Sequence, residues 1–301
     1  MSPTDTPCPT SLEDLERLLS ELADDTSPIR LGKRSRQVLA ALVAAPQETA
    51  VSSISHLAER LGVSPSTLSR LAQRLGFGGF AGLQGIFRRH VTQGRHFYSD
   101  QVSRLLADQP ENGGMERLSR LEKQEGANLA DLLAGLDART FQQAAGLLAE
   151  APRVRVHGMR QFASLASFMA YGLGMLRGDA AMLDAARHGA ADALAQLDED
   201  DVLVVASGFP YTPSVLATAE VAARQGIQVI ALTNSPASPL AGLAKYHFVV
   251  PDQSLFFSNS MCAFMLLAEG LLSETANRLG NAGLEALKRR ERLIGELDAS
   301  L

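Results

Sequence analysis

Two cysteines, Cys8 and Cys262, are all that the 301 residues contain. One lies in a Pro/Thr-rich start and the other in an apolar run expected to be buried. A disulfide between them is not expected, and two spare thiols suit a reducing compartment. A continuous apolar span is missing too. The longest such run, Leu255–Leu272, is broken by Ser258, Asn259, Ser260 and Glu269. A bilayer crossing takes about 20 mainly apolar residues, so the run reads as a buried helix and no membrane partner is expected. Met1–Thr10 carries neither a basic n-region nor an apolar stretch, so no signal peptide is expected, and the expected location is the cytoplasm. Signatures of metal and cofactor chemistry are scarce as well. No His/Cys/Asp/Glu cluster has metal-ligand spacing, and neither a Gly-x-Ser-x-Gly elbow nor a Walker-type phosphate loop occurs. No metal and no cofactor is therefore expected.

What is present fits an ordinary folded chain. Hydrophobic residues make up 46% and charged residues 20%, too apolar for disorder. The length exceeds what one hydrophobic core usually serves, so two domains are expected. Charge is unevenly spread. Arg30–Phe97 holds ten Lys/Arg against Glu48 and Glu59, a local balance of +8 in a chain of net −5, so the remainder carries −13. A basic block in an acidic chain suits a segment that meets a polyanion, or a basic surface without a partner; charge alone does not separate the two.

Periodicity supplies the organisation. Leu12, Leu15, Leu18, Leu19 and Leu22 fall at helical spacing and Asp24–Pro28 ends that helix. Further helices are expected over Ser35–Ala45, twice more up to Leu75, and over Ala81–Thr92. Asp108–Gly114 is a turn-rich break, and a helical segment, Met115–Leu136, follows it. From Val154 the pattern changes. Val154–His157, Ala181–Leu183, Val202–Ala206, Val229–Thr233 and Phe248–Val250 read as buried strands. Leu165–Leu176, Ser214–Arg224 and Ser258–Ala276 read as helices between or after them. Such alternation implies a parallel sheet covered on both faces. The fold class is thus an all-α N-terminal domain followed by a three-layer α/β domain. The expected boundaries are 1–95 for the first domain, 96–136 for a helical connector, 137–280 for the second domain and 281–301 for a terminal helix.

Ile54–Leu75, ISHLAERLGVSPSTLSRLAQRL, carries the first functional signal. Ile54, Leu57, Ala58 and Leu61 form one stripe; Leu68, Leu71, Ala72 and Leu75 form another. Gly62 suits the left-handed residue that closes a helix, and Ser64-Pro65 reads as an N-cap with proline in the first turn. Two helices joined by three or four residues make a helix-turn-helix. Opposite the leucines of the second helix lie Ser66, Thr67, Ser69, Arg70, Gln73 and Arg74. With Ser64 they present hydroxyls near a helix N-terminus and two guanidinium groups beyond. That combination suits phosphates and base edges of double-stranded operator DNA. A helical hairpin with a merely solvated polar face is the plain alternative.

LAERLGVSPSTLSRLAQRLGFGGFAGLQ resembles the N-terminal domain of RpiR-type bacterial transcriptional regulators over about residues 30–95, including the run Gly76-Phe77-Gly78-Gly79-Phe80. Phe77 and Phe80 are expected to pin the next helix onto the hairpin. The resemblance implies a sugar isomerase (SIS) domain downstream, and residues 137–275 look like one. Its ligand would sit at the carboxyl ends of the parallel strands. SIS domains similar to this one place a loop of the form S-x-S-G-x-T after the third strand. Here that loop reads Ser207-Gly208-Phe209-Pro210-Tyr211-Thr212, so Ser207 and Thr212 match while Phe209 and Pro210 depart. The first loop, usually G-x-G-x-S, reads Gly158-Met159-Arg160-Gln161-Phe162; Gly158 matches, Arg160 and Phe162 depart. Two cradle hydroxyls are lost and one guanidinium is gained, which suits a phosphate or carboxylate held bidentately. The expected ligand residues are Gly158, Arg160, Gln161, Ser207, Tyr211 and Thr212, and the expected effector is a sugar phosphate or sugar acid. A vestigial pocket with Arg160 in an internal salt bridge is the alternative. Ser258, Asn259 and Ser260 are expected to cap the last long helix. The resemblance further implies a homodimer or homotetramer paired through the SIS domains and the terminal helix Leu284–Leu297.

A sugar-phosphate isomerase with an appended helical domain is the competing reading. It needs a general base, for which His188, Glu220, His247 and Glu269 are the candidates, none of them within a recognisable motif. His157 reads as a strand-end filler. A purely structural oligomerisation module is a third class for the C-terminal half.

Overall fold

The structure, a computed structural model, describes residues 8–23, 27, 29–108, 110, 113–183, 189–236 and 238–297. They fall into two compact units, Met1–Phe97 and Tyr98–Leu301. Among the described residues no helix is long and apolar enough to cross a membrane, and no group of three or more His, Cys, Asp or Glu is placed to hold a metal ion.

The first unit is all helical: α1 (Leu12–Ala23), α2 (Lys33–Ala44), α3 (Pro46–Val51), α4 (Ile54–Arg60), α5 (Pro65–Arg74) and the beginning of α6 (Phe80–Ala107). The leucine stripes read from the sequence form its core. Leu15, Leu39, Leu42, Leu57, Leu68 and Leu71 are at most 1% exposed, each contributing roughly 2–3 kcal/mol from removal of apolar surface from water. Gly62 sits at φ +59°, where a Cβ would be strained. Around it the Val63 N–H donates to Ala58 O and the Gly62 N–H to Glu59 O, the paired bonds of a Schellman C-terminus. Arg34 donates to the carbonyls of Leu61 and Gly62 at 3.0 and 2.9 Å and so closes the same helix end. Phe80, the first residue of α6, is buried and Phe77 is half-buried. Gln84 and Arg88 of α6 bind the last carbonyls of α3 and the residue beyond it: Gln84 Nε2 reaches Thr49 O and Ser52 O, and Arg88 Nε reaches Ala50 O.

Two expectations are corrected here. The helix expected to stop at Thr92 continues to Ala107, since no proline between Phe80 and Pro110 removes a backbone donor. Cys262 is exposed rather than buried, because it opens a helix on its solvent side. The Asp24–Pro28 break lies largely outside the described residues.

The second unit continues with α7 (Gly113–Gly135) and α8 (Ala138–Glu150). It then alternates β1 (Val154–Gly158), α9 (Phe162–Leu176), β2 (Ala180–Met182), α10 (Ala190–Leu194), β3 (Val202–Ala206), α11 (Pro213–Arg224), β4 (Gln228–Thr233) and β5 (Tyr246–Val249). It closes with α12 (Cys262–Leu279) and α13 (Asn281–Glu296). All four strand pairings are parallel and the order is β2-β1-β3-β4-β5. Every residue of β3 is buried, because both faces of the sheet are covered. Val202, Val204 and Ala206 pack on one side with Leu148, Leu165, Met169 and Phe264 of α8, α9 and α12. Leu203 and Val205 pack on the other with Leu194, Val215 and Ala219 of α10 and α11. Asp201 is fully buried below β3. Its carboxylate accepts the N–H groups of Arg153 and Asp198 at 2.9 and 2.7 Å and meets Arg153 Nε at 2.8 Å, tying the entries of β1 and β3 together.

Candidate DNA-binding face and ligand cleft

The polar ridge of α5 faces solvent. Ser64, Ser66, Arg70, Gln73 and Arg74 are exposed, and Thr67 and Ser69 are half-buried, while Leu68, Leu71 and Ala72 point inward. Ser64 holds the N-cap with extended backbone and Pro65 follows in the first turn. Its hydroxyl does not cap a backbone N–H; it bonds the hydroxyls of Ser66 and Thr67 at 2.8 and 3.0 Å. The result is a cluster of three hydroxyls at a helix N-terminus, where the positive end of the helix dipole favours an anion. Arg70 and Arg74 make no hydrogen bond or ion pair with any described residue. Other members of the basic block are engaged at home: Arg34 at the end of α4, Arg36 on the carbonyls of Leu22 and Leu31, Arg88 on Ala50 and Arg89 on Thr10 O.

In the second unit the strand order reverses between β1 and β3, the switch point at which open parallel sheets bind ligands beyond their carboxyl ends. The loops leaving these two strands are the ones singled out from the sequence, 158–162 and 207–212. Tyr98, Met159, Arg160, Gln161, Phe162, Gly208, Phe209, Pro210, Thr212 and Asn259 line a cleft there. Arg160, Gln161 and Thr212 thus line one cleft. Gly158, Ser207 and Tyr211 stand behind the lining. Gly158 is buried where a Cβ would lie 2.5 Å from Phe162 O, so only glycine lets α9 start this close to β1. Ser207 is 2% exposed and its Oγ accepts the Thr212 N–H at 3.2 Å, holding the second loop in shape. Tyr211 packs edge-on against Phe209, with ring centroids 6.1 Å apart.

Arg160 differs from its neighbours in its backbone: φ is +59°, a region costly for residues with a Cβ. It stands where the similar family pattern has its second glycine. The left-handed turn is retained, and a long cation now extends from it. Among the described residues the guanidinium has no acidic partner for the expected alternative of an internal salt bridge. It lies over the Tyr98 ring, 4.9 Å from the centroid.

Beneath the second loop lies a polar cluster that sequence reasoning missed. Asn234 Nδ2 and Asn259 Nδ2 both donate to Asp252 Oδ2, at 2.9 and 2.8 Å. Asn259 also donates to Phe209 O, and Asn234 Oδ1 accepts the Phe209 N–H. Burial raises the Asp252 carboxyl to about 6, against the hydrogen bonds from Asn234 and Asn259, which lower it. Of Ser258, Asn259 and Ser260, expected to cap the last long helix, only Ser260 meets its start, its Oγ accepting the Cys262 N–H at 3.2 Å. Helix α12 begins at Cys262, and Met261 at its N-cap makes no capping bond of its own. Ser258 instead donates to Gln161 Oε1, and Ser260 also donates to Glu125. Gln161 Nε2 returns to Asn259 O and Met261 Sδ, so this segment forms the wall opposite β1.

None of Glu220, His247 and Glu269 lines the cleft, and all three are exposed; His188 lies outside the described residues. His157 is 5% exposed at the end of β1 and burial lowers its pKa.

Two family models match this chain: the helix-turn-helix domain of the rpiR family over residues 26–92 and the SIS domain over residues 147–270. Between them they account for more than half of its length. Among solved structures, the sugar isomerase domain of an RpiR transcription factor from Sphaerobacter thermophilus is similar at 26% identity and a TM-score of 0.55. That match covers 58% of this chain and 97% of the other. NanR of Vibrio vulnificus, solved with ManNAc-6P, shares the fold at 18% identity and a TM-score of 0.54, over 93% of this chain and 98% of its own. A helix-turn-helix domain of the rpiR family joined to a SIS domain is the composition of an RpiR-type transcription factor rather than of a free-standing isomerase.

Proposed function

We propose that this regulator binds operator DNA through the α5 ridge and that a phosphorylated sugar or sugar acid, held at the β1/β3 crevice, sets its affinity. The observation that carries the ligand half is Arg160, a cation projecting from a left-handed turn into the cleft at the topological switch point. Backbone strain persists at functional positions, and a guanidinium on a loop rich in backbone N–H groups suits a phosphate or carboxylate. NanR, which shares the fold, was solved with ManNAc-6P, which makes a phosphorylated amino sugar a reasonable first probe. The DNA half rests on Ser64, Ser66, Thr67, Ser69, Arg70, Gln73 and Arg74, whose side chains are accessible together on one helix face. Gly158, Ser207 and Tyr211 act behind Arg160, Gln161 and Thr212 by shaping the two loops.

Residues 1–95 then form the reading domain, 96–136 the connector, 137–280 the sensor and 281–301 a terminal helix for pairing in a cytoplasmic homodimer or homotetramer. Two α5 helices in a dimer would meet half-sites about 34 Å apart, one turn of the duplex. The test is a thermal-shift panel of phosphosugars and sugar acids on the wild type and Arg160→Ala. An effector at 100 times its Kd stabilises by about 2.7 kcal/mol, roughly 5–10 °C for a unit of this size. The same compound should shift Arg160→Ala far less. A compound that stabilises both proteins equally removes Arg160 from the site.

A further inference from the structure

The cleft is closed from within. Its free volume is about 10 Å³, room for one water, whereas pockets that hold small ligands span roughly 300–1,000 Å³. Two features of the lining account for the closure. Phe162 and Phe209 occupy positions where the similar SIS loops carry hydroxyls. The other is Tyr98, whose ring lies against the guanidinium that an anionic ligand needs. Tyr98 comes from neither of the two loops. It belongs to α6, which is continuous in sequence with the reading domain. A single ring therefore helps close the cleft and occupies its cation at once.

We propose that Tyr98 is an intramolecular lid that competes with the anionic group of the effector for Arg160. An oxyanion that takes the guanidinium bidentately requires its plane and edges, and the ring must leave. The proposal rests on the reading of Arg160 as the effector's anchor. It adds that the residue displaced is one carried by the helix that enters the sensor from the DNA-binding side. Ligand arrival and release of the α6 end then become one event, and the ligand biases the chain through a contact it replaces.

An exposed cation–π contact holds about 0.5–1 kcal/mol, so removing the ring should tighten anion binding about 2- to 5-fold. The test is calorimetric titration of the full chain with inorganic phosphate and with ManNAc-6P at fixed ionic strength, for wild type, Tyr98→Ala, Tyr98→Phe, Arg160→Ala and the double variant. Tyr98→Ala should bind about 2- to 5-fold tighter than wild type. Tyr98→Phe, which keeps the ring, should lie nearer wild type than Tyr98→Ala, and Tyr98→Ala should add nothing on the Arg160→Ala background. Should Tyr98→Ala fail to fold, Tyr98→Leu takes its place, since it lacks a ring face. Unchanged or weaker binding on loss of the ring, with wild-type binding still dependent on Arg160, overturns the lid and leaves the sensor intact. Binding indifferent to Arg160, or no binding by any variant, overturns the anchor and the lid with it.

Discussion

Arg160→Gly and Arg160→Ala should differ in stability in the sense opposite to the usual order of these two residues. Outside special conformations, alanine is the more stable replacement by roughly 0.5–1 kcal/mol, because glycine loses more freedom on folding. At residue 160 φ is +59°, and a left-handed residue with a Cβ costs about 1–2 kcal/mol. Glycine removes that cost; alanine keeps it. Both lose the contact with Tyr98, about 0.5–1 kcal/mol. For glycine the relief offsets the lost contact and the added chain freedom, and the net change is near zero. For alanine nothing offsets the lost contact. Arg160→Gly should therefore exceed Arg160→Ala by about 0.5–1 kcal/mol, or roughly 1–4 °C in the unfolding midpoint of the second unit. Scanning calorimetry of the two full-length variants reads this directly. Both should lose the effector response that the wild type shows. An Arg160→Ala protein as stable as Arg160→Gly, or more so, refutes the claim that strain is held at this position for the sake of its side chain.

Other outcomes follow from the same geometry. Replacing Arg70 and Arg74 together by alanine should weaken binding to a selected operator by at least about 1 kcal/mol and, where they touch phosphates, lower the salt slope by up to about 0.9 per contact; an unchanged titration at fixed salt puts the DNA-binding face elsewhere. Asp201→Ala strands the buried N–H groups of Arg153 and Asp198 and should cost about 2–4 kcal/mol in urea unfolding, whereas a loss under 1 kcal/mol shows that water reaches them. Asp252, raised from 3.8 to about 6, binds its proton more tightly folded than unfolded, so its contribution to stability falls as pH rises from about 4 to about 6 and is flat above. The stability difference between wild type and Asp252→Asn should thus move by up to about 3 kcal/mol across that window, and a difference independent of pH places Asp252 in contact with solvent.

The helix-turn-helix was legible because its signals are local. Leucine spacing, a glycine after the first helix and Ser-Pro before the second each act within a few residues, and Gly62, Ser64 and Pro65 sit where that logic puts them. The central strands were legible because burial on both faces makes them continuous apolar runs, as in β3; the edge strands β2 and β5, expected to be buried as well, are mostly exposed or half-buried because each has a neighbour on one side only. Charge counting was less informative than it looked. Four of the ten basic side chains in Arg30–Phe97, those of Arg34, Arg36, Arg88 and Arg89, bind backbone carbonyls, and no pattern in the sequence separates these from Arg70 and Arg74. The cleft was legible only in part. Its two switch-point loops follow from strand order, but Tyr98 and Asn259 reach it from distant stretches of chain, and Asn234 and Asp252 brace Asn259 from behind. Ser258–Ser260 illustrates the same limit. Small polar residues before an apolar helical run read as a cap, and Ser260 Oγ does meet the Cys262 N–H, but Ser258 and Ser260 also donate across to Gln161 and Glu125, partners about 100 and 135 residues away along the chain.

The energies bound how strongly such a device can act. A ligand moves an equilibrium only by the difference in its affinity for the two states. If exchanging Tyr98 for an oxyanion at Arg160 were the whole of the coupling, the lid would supply about 0.5–1 kcal/mol, and operator affinity would change no more than about 5-fold. A larger response requires the remaining walls to take part. Those walls are linked: Gln161 to Ser258 and Asn259, Asn259 to Asp252, and Asp252 to Asn234. A cleft of about 10 Å³ cannot admit a sugar phosphate without parting some of these bonds, each a net contribution of about 1 kcal/mol. Coupling is reciprocal for binding free energies, so the factor by which ManNAc-6P or another effector alters operator affinity equals the factor by which operator DNA alters effector affinity. Measuring both in wild type and Tyr98→Ala divides the coupling into the part that passes through the lid and the part that passes through the Asn234–Asp252–Asn259 wall. A factor that survives loss of the Tyr98 ring undiminished assigns all of it to the wall.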